Sequence, residues 1–391
     1  MQKDCICCGG TLRPLFNLGR QPLANKYPKS EDAFASEYSQ EMVVYKCDTC
    51  GYCHVPCDAD RAIFFEDYYY LSSVNKELVN HFVALAEELS NAGAKFVLDV
   101  GSNDGVLLKP LQDRGVKCLG VDPSHNVGEI ANKNGLETFI GFFDREISQR
   151  VIAEKGRPDV IVASSVFTHL GDPGDFFAVC DGLLDKDGSV IIEVEFLNDI
   201  ITTIGFERFY YDRPHYYTVD SLKRLSERFG FAVVNVDRIV AHGGSVRVTF
   251  KRLADLANDP APIAADLAPL SREQILEHFG TFESSCAALK AQLETFKADG
   301  VAVGGYGCPA RFSTITNFAG IGTDLLPFVI DDSPLKQDRF SPGQHVPIVP
   351  YAASPEVSTY LVFAYEYIAS IRAKVAKDEI SYYRPVPFQQ L

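Results

Sequence analysis

Residues 97–108 read Val-Leu-Asp-Val-Gly-Ser-Asn-Asp-Gly-Val-Leu-Leu: an apolar run closes on a carboxylate, Asp99, and breaks at Gly101. Ser102, Asn103 and Asp104 follow, Gly105 ends the polar stretch, and an apolar pattern resumes at once. A strand that turns through two glycines into a helix brings its backbone close to a ligand. Gly105 stands four residues after Gly101, so the turn is not the G-x-G-x-x-G of dinucleotide binders. The next apolar run ends in Val121-Asp122, about 20 residues on, where a carboxylate can accept hydrogen bonds from ribose hydroxyls. Together these ends suit a nucleoside with no pyrophosphate to cradle. Phe142, Phe143 and Asp144 follow the third run, an aromatic face and a carboxylate able to hold an adenine ring and its amino group.

A second chemistry is written near the N-terminus. Of 11 cysteines, seven precede residue 58. Cys5 and Cys8 form one C-x2-C pair and Cys47 and Cys50 another, each followed by a glycine that permits a tight knuckle. Four thiolates in two such pairs meet the needs of tetrahedral zinc and leave no open position for catalysis, so the zinc is expected to be structural. Cys7, Cys53, His54 and Cys57 stand close enough in sequence to be rival ligands. Clustered cysteines point to metal in a reducing compartment rather than to disulfides.

The elements that must position these residues alternate. From Lys95 to Glu195, apolar strand patterns and helical patterns succeed one another, which predicts a parallel sheet covered by helices, with ligands at the carboxyl ends of its strands. A later stretch places Ile275, Phe279, Phe282, Cys286, Leu289, Leu293 and Phe296 at helical spacing and ends at Gly300. Strand patterns at 301–307, 325–331 and 359–365 then make a second αβ unit. There the helix start after Gly305-Tyr306-Gly307 can receive a diphosphate, with Arg311 and Lys336 as counter-charges. Gly305, Gly307 and Ala310 also satisfy G-x-G-x-x-A, with Asp331 closing the next run, so an NAD-dependent oxidoreductase is a rival reading.

With 391 residues, 46% hydrophobic and 23% charged, the chain is long enough for two or three ordinary globular domains. A net charge of -15 argues against a grip on nucleic acid. No apolar run is long enough for a membrane span or a signal peptide, so neither membrane nor nucleic acid is expected as a partner, and the cytoplasm is the expected location.

The strand ends at Asp99 and Asp122 resemble the S-adenosylmethionine (SAM) site of class I methyltransferases. Further stretches extend the likeness: LGRQPLANKY (18–27), FFEDYYYLSS (64–73), SVFTHLGD (165–172), HGGSVR (242–247), GYGCPARFSTITNF (305–318) and DDSPLKQDRFSPGQHVPIV (331–349). In this order they resemble the three-domain sugar C-methyltransferases, which act on nucleotide-linked 4-keto deoxysugars. The resemblance implies an α/β chain with an N-terminal zinc-binding domain (1–70), a central Rossmann-like SAM-binding methyltransferase domain (71–255) and a C-terminal Rossmann-like substrate domain (256–391). It implies addition of methyl at C-3, beside the 4-keto group, through an enolate; a monomer or small homo-oligomer is expected. That reaction needs a base, donors for the enolate oxygen and the methyl sulfonium placed on one face.

By the resemblance, Tyr70 and His169 match two of the family's site residues, and Arg247, Tyr306, Arg311 and Lys336 fall in stretches that contact the sugar nucleotide. The family's Tyr-His-Glu-His stretch is altered: Tyr210 keeps the tyrosine, Tyr211 replaces the first histidine, Asp212 the glutamate and Arg213 the last histidine. Arg213 stays protonated and cannot serve as a base. His215 lies two residues on. The reading expected here is His169 or His215 as base, Tyr70 and Tyr210 as donors, Asp212 orienting a partner and Arg213 stabilising the enolate or gripping an anion. Tyr365 and Glu366 stand where the family has Trp-Asn. The alternatives are O- or N-methylation of a nucleotide sugar, and enolisation or epimerisation without methyl transfer.

Overall fold

The first two strands, β1 (Leu12–Pro22) and β2 (Ser39–Cys47), pair antiparallel from Leu12 opposite Cys47 to Pro22 opposite Ser39, with register shifts in β1 between Pro14 and Phe16 and between Asn17 and Arg20. A short strand, β3 (Cys53–His54), extends them. The computed structural model describes residues 4–65, 71–256, 264, 267–376 and 379–391, without the side chain of His242; Tyr70 lies outside the described residues.

Continuous apolar runs give the parallel strands β4 (Phe96–Val100), β5 (Lys117–Asp122), β6 (Thr138–Ile140), β7 (Val160–Ser164) and β8 (Ser189–Glu195). All five residues of β4 are buried, as a strand covered by helices on both faces requires. The helix Lys76–Asn91 lies on this sheet; Asn75 caps it, and Leu78, Phe82, Leu85, Ala86 and Leu89 form its buried stripe. After β8 the chain leaves the sheet through β9 (His215–Tyr216) and returns as the antiparallel hairpin β10 (Phe231–Ile239) and β11 (Ser245–Arg252). The strand order is β10-β11-β8-β7-β4-β5-β6. Connections diverge between β4 and β7, and the cleft opens there, at the carboxyl ends of the strands.

The third unit begins with the helix Arg272–Ala298, started by a reciprocal Ser271–Gln274 capping box. Ile275, Phe279, Phe282, Cys286, Leu289 and Leu293 are its buried residues, the periodicity read from sequence. Its sheet contains β12 (Val303–Tyr306), β13 (Val329–Ile330), β14 (Arg339–Phe340), β15 (Pro347–Val349), β16 (Thr359–Val362), β17 (Ser381–Arg384) and β18 (Gln389–Gln390), in the order β14-β15-β13-β12-β16-β17-β18. The inner strands are parallel and the edges β14 and β18 antiparallel.

Cores cross the domain boundaries. Phe16 of β1 stacks on Phe279 at 4.7 Å and meets Phe206 edge-on at 5.1 Å, so one aromatic cluster joins all three parts of the chain. β9 does the same through backbone: Cys53 pairs with Tyr216 and His54 with His215, which makes a four-stranded sheet β1-β2-β3-β9 from two domains. No helix among the described residues is long and apolar enough to cross a membrane.

Candidate active site

The two cysteine pairs converge. The Sγ atoms of Cys5, Cys8, Cys47 and Cys50 lie within 4.8 Å of one another, with Cys5–Cys50 at 3.6 Å and Cys8–Cys47 at 3.5 Å. Thiolates about 2.3 Å from a tetrahedral zinc stand about 3.8 Å apart, so the set fits that ion. Cys7, Cys53, His54 and Cys57 are not in the group. The two knuckles repeat: the N–H of Gly9 donates to the Cys5 carbonyl at 2.8 Å, and that of Gly51 to the Cys47 carbonyl at 2.9 Å. The second knuckle packs tightly, since a Cβ on Gly51 would stand 2.5 Å from Pro269 and 2.9 Å from Thr218. Thr218 caps the helix after β9 and donates its hydroxyl to the Cys50 carbonyl at 2.7 Å. Zinc would therefore brace the segment that carries Tyr210 to Tyr217.

Between the domains lies a cavity of about 470 Å³, ample for a small ligand. At its nucleoside end, Asp99, Gly101, Ser102 and Asn103 form one wall and Asp122, Pro123 and Ser124 the next. Gly101 has φ 74°, and a Cβ there would stand 2.6 Å from Val166, so only glycine makes this turn without strain. The Asp122 carboxylate accepts the N–H of Asn103 at one oxygen and of Ser124 at the other, both at 2.8 Å, and lines the cavity, where a carboxylate can accept from ribose hydroxyls. Burial pushes both the Asp99 and Asp122 carboxyls up. The buried Ser102 hydroxyl has no hydrogen-bond partner among the described residues. This donor set fits SAM.

Other residues of that prediction lie elsewhere. Asp104 accepts from the hydroxyl of Ser73 at 2.5 Å, and the Asn103 side chain accepts the N–H of Ser72 at 3.1 Å, so this pair ties down the Ser72-Ser73 stretch. Gly105 turns against Leu136. None of Asp104, Gly105, Phe142, Phe143 and Asp144 lines the cavity. Asp144 caps the helix Arg145–Lys155 by accepting the N–H of Ile147 at 2.9 Å. Phe143 packs on Phe176 at 5.3 Å, and Phe142 is half exposed against Phe65.

The acceptor end is formed by His169, Glu195, Arg208, Tyr210, Asp212 and Arg213. Glu195, last residue of β8, takes an ion pair from Arg213 and another from Arg208 at 3.4 Å, leaving one net positive charge at the cavity wall. Arg213 also sits over the Tyr210 ring at 5.1 Å. The Tyr216 hydroxyl braces this stretch, accepting the N–H of Tyr210 at 3.1 Å and donating to the Arg208 carbonyl at 2.9 Å. His169 donates Nδ1–H to the Asp212 carbonyl at 2.6 Å, and its Nε2 accepts from Arg213 Nε at 3.3 Å. Burial, aided by the Arg213 charge, pushes the His169 imidazole down to about 3.

Asp212 is buried, and its Oδ2 accepts from the Asn25 side chain at 2.7 Å. Its Oδ1 has no hydrogen-bond partner among the described residues. Burial pushes this carboxyl up, against the pull of Asn25 and Arg213. His215 is not brought into the cavity. Its Nε2 donates to the Leu170 carbonyl at 2.9 Å, its Nδ1 meets the Tyr52 hydroxyl at 2.5 Å, and its ring stacks near His54. The β9–β3 pairing takes it there: Pro214 turns the chain toward the zinc domain, where its carbonyl accepts the N–H of Val55 at 2.9 Å.

From the third unit, Arg311 and Lys336 reach the cavity. Arg311 pairs with Glu366 at 2.6 Å and lies 4.8 Å over Tyr365, so the two unusual residues after β16 hold it. Lys336 contacts Asp331 at 3.3 Å and the Cys308 carbonyl at 3.1 Å. Asp331 repeats the hydrogen bonding of Asp122, accepting the N–H of Cys308 at 2.8 Å and of Ser333 at 2.9 Å. Tyr306 and Arg247 are placed away from the cavity: Tyr306 packs edge-on to Tyr360, and Arg247 is buried against Glu193 at 2.6 Å. Both are buried in these contacts, which motif position alone does not show.

Comparison with known proteins agrees with this division. Family models match in series a zinc binding domain over residues 5–65, a methyltransferase domain over 70–236 and a C-methyltransferase C-terminal domain over 240–387. C-methyltransferase NovU of Streptomyces niveus is 27% identical over 382 residues, 94% of this chain and 91% of that protein. Ubiquinone biosynthesis O-methyltransferase of Pseudomonas paraeruginosa is 28% identical over 108 residues, 27% of this chain and 47% of that protein. Magnesium protoporphyrin IX methyltransferase of Synechocystis PCC 6803, solved with bound SAM, is 15% identical with a TM-score of 0.37, covering 50% of this chain and 99% of that one. With three domain types in this order, and a C-methyltransferase aligned along nearly all of its length, the chain is a SAM-dependent methyltransferase with an N-terminal zinc-binding domain, similar throughout to a C-methyltransferase.

Proposed function

We propose that the protein methylates a nucleotide-linked deoxysugar at the carbon beside a 4-keto group, C-3, and that Asp212 removes the proton. The observation that carries this reading is the unpartnered, buried Oδ1 of Asp212, a residue that lines the cavity together with the Arg213–Glu195–Arg208 cluster. SAM, when bound, supplies an electrophilic methyl group to the carbon.

Asp212 Oδ1 takes the proton from carbon, and the electron pair left behind delocalises onto the ketone oxygen. A carboxyl raised by burial is a better match for so weak an acid than an ordinary aspartate. Arg213, with Tyr210 beside it, presents N–H donors to that oxygen without needing to lose a proton. His169 positions Arg213 through Nε2 and holds the Asp212 backbone through Nδ1. Its lone pair is therefore engaged, and its depressed basicity suits a neutral brace. His215 braces the zinc-domain contact and takes no proton from substrate. Thus a carboxylate and an arginine share the work that the family resemblance gave to histidines. At the other end, Arg311 and Lys336 supply cationic partners for the nucleotide diphosphate.

The test is incubation with SAM and a panel of nucleotide-linked 4-keto-6-deoxysugars in deuterated water, read by mass spectrometry and NMR. The reading expects one methyl on the carbon beside the ketone. Methyl on oxygen or nitrogen, or deuterium uptake without methyl, would replace it with another reaction.

A further inference from the structure

His81 was not among the residues singled out from sequence, yet it faces the cavity from the helix Lys76–Asn91. Its Nε2 lies 2.8 Å from Glu193, a carboxylate only 2% exposed. Glu193 is held from three sides, by His81, by the Ser164 hydroxyl at 2.5 Å and by Arg247 at 2.6 Å. Burial opposes its charge, but these partners overcome it and bring the carboxyl down to about 2. As an imidazolium paired with this anion, the ring donates from both nitrogens. Nδ1 makes no hydrogen bond among the described residues, so the second ring nitrogen of this half-buried histidine is left to the cavity it lines.

The sheet indicates what that donor meets. Asp122, the partner for ribose, ends β5; the Gly101 turn follows β4; Ser164 ends β7, opposite Glu193 of β8. The order β5-β4-β7-β8 puts the dyad on the far side of the glycine turn from the ribose position, about two strand spacings of 4.8 Å beyond that turn. A nucleoside seated at Asp122 would have room to extend its 5′ substituent past Gly101 toward His81, since all three residues line the same cavity. In SAM that substituent is an amino acid, whose carboxylate needs a cationic donor.

We propose that His81, held by Glu193, binds the carboxylate of the cofactor's methionyl group. The inference concerns the cofactor alone and stands apart from the identity of the sugar.

Calorimetric titration of wild-type protein, His81→Gln and His81→Ala tests it with four probes: SAM, S-adenosylhomocysteine, decarboxylated SAM and 5′-deoxy-5′-methylthioadenosine. Gln keeps an N–H for Glu193, so this variant preserves the buried partner if Ala disturbs folding. Both substitutions are expected to weaken SAM and S-adenosylhomocysteine about tenfold or more, the scale of one charge-assisted hydrogen bond. Decarboxylated SAM and methylthioadenosine should bind the variants within about twofold of wild type, because neither carries the carboxylate. Unchanged SAM binding by His81→Gln overturns the proposal, and so does an equal loss for all four probes.

Discussion

Asn25 of the zinc domain donates to Asp212 of the methyltransferase domain at 2.7 Å, which binds one carboxylate oxygen and leaves the other buried without a hydrogen-bond partner among the described residues. The proposed base is thus tuned by a residue nearly 190 positions away. Asn25→Ala removes an interaction that lowers the Asp212 pKa, so the acid limb of the kcat/KM profile should move to higher pH. A pH–rate series for the two proteins checks the direction; a shift to lower pH would contradict it.

Asp212→Asn should cost most of the turnover, about a hundredfold or more, while SAM still binds. Its effect on stability runs the other way. The folded Asp212 carboxyl lies above its unfolded value of about 3.9, so the native state binds the extra proton and wild-type stability falls as pH rises through that window. Asn carries no such penalty. Melting curves should therefore favour Asp212→Asn at pH 8 and show a smaller difference near pH 4.

Arg213→Lys keeps a charge but loses the planar donors shared with Glu195 and His169. Removing one enolate donor typically costs about 100-fold or more in kcat. Turnover should fall on that scale with SAM affinity within about twofold, as kinetics and titration with SAM would report.

Gly101→Ala places a Cβ 2.6 Å from Val166 on a residue at φ 74°. Such a conformation costs a non-glycine residue about 1–3 kcal/mol, before the steric contact is counted. Loss of the SAM-induced rise in melting temperature is the expected readout.

Cys8→Ser breaks the four-thiolate set without touching the cavity. Metal analysis should show less than one zinc per chain, and melting should shift down. Turnover should fall as well, because the second knuckle holds Thr218 and β3 holds His215 and Tyr216.

Local chemistry made part of this protein legible in one dimension. Two C-x2-C pairs, two αβ units and the helix buried through Phe279, Phe282 and Leu289 all depend on residue type and spacing along a short stretch, which folding preserves. The strand ends at Asp99, Gly101 and Asp122 were legible for the same reason, since in a parallel sheet strand ends converge on one cleft. The set of groups that meet around the substrate depends instead on packing between distant segments. Pairing of β9 with β3 draws His215 out of the cavity, while Asp212, three residues earlier, stays in it under Asn25. His81 is one turn of an amphipathic helix to the eye of the sequence, and only the approach of β8 gives it Glu193. Asp144, Arg247 and Phe143 carry suitable chemistry, but a helix cap, a buried ion pair and an aromatic core contact engage them first. Residue identity determined which chemistry was available; the burial and pairing of segments far apart in the chain decided which groups remained free to perform it.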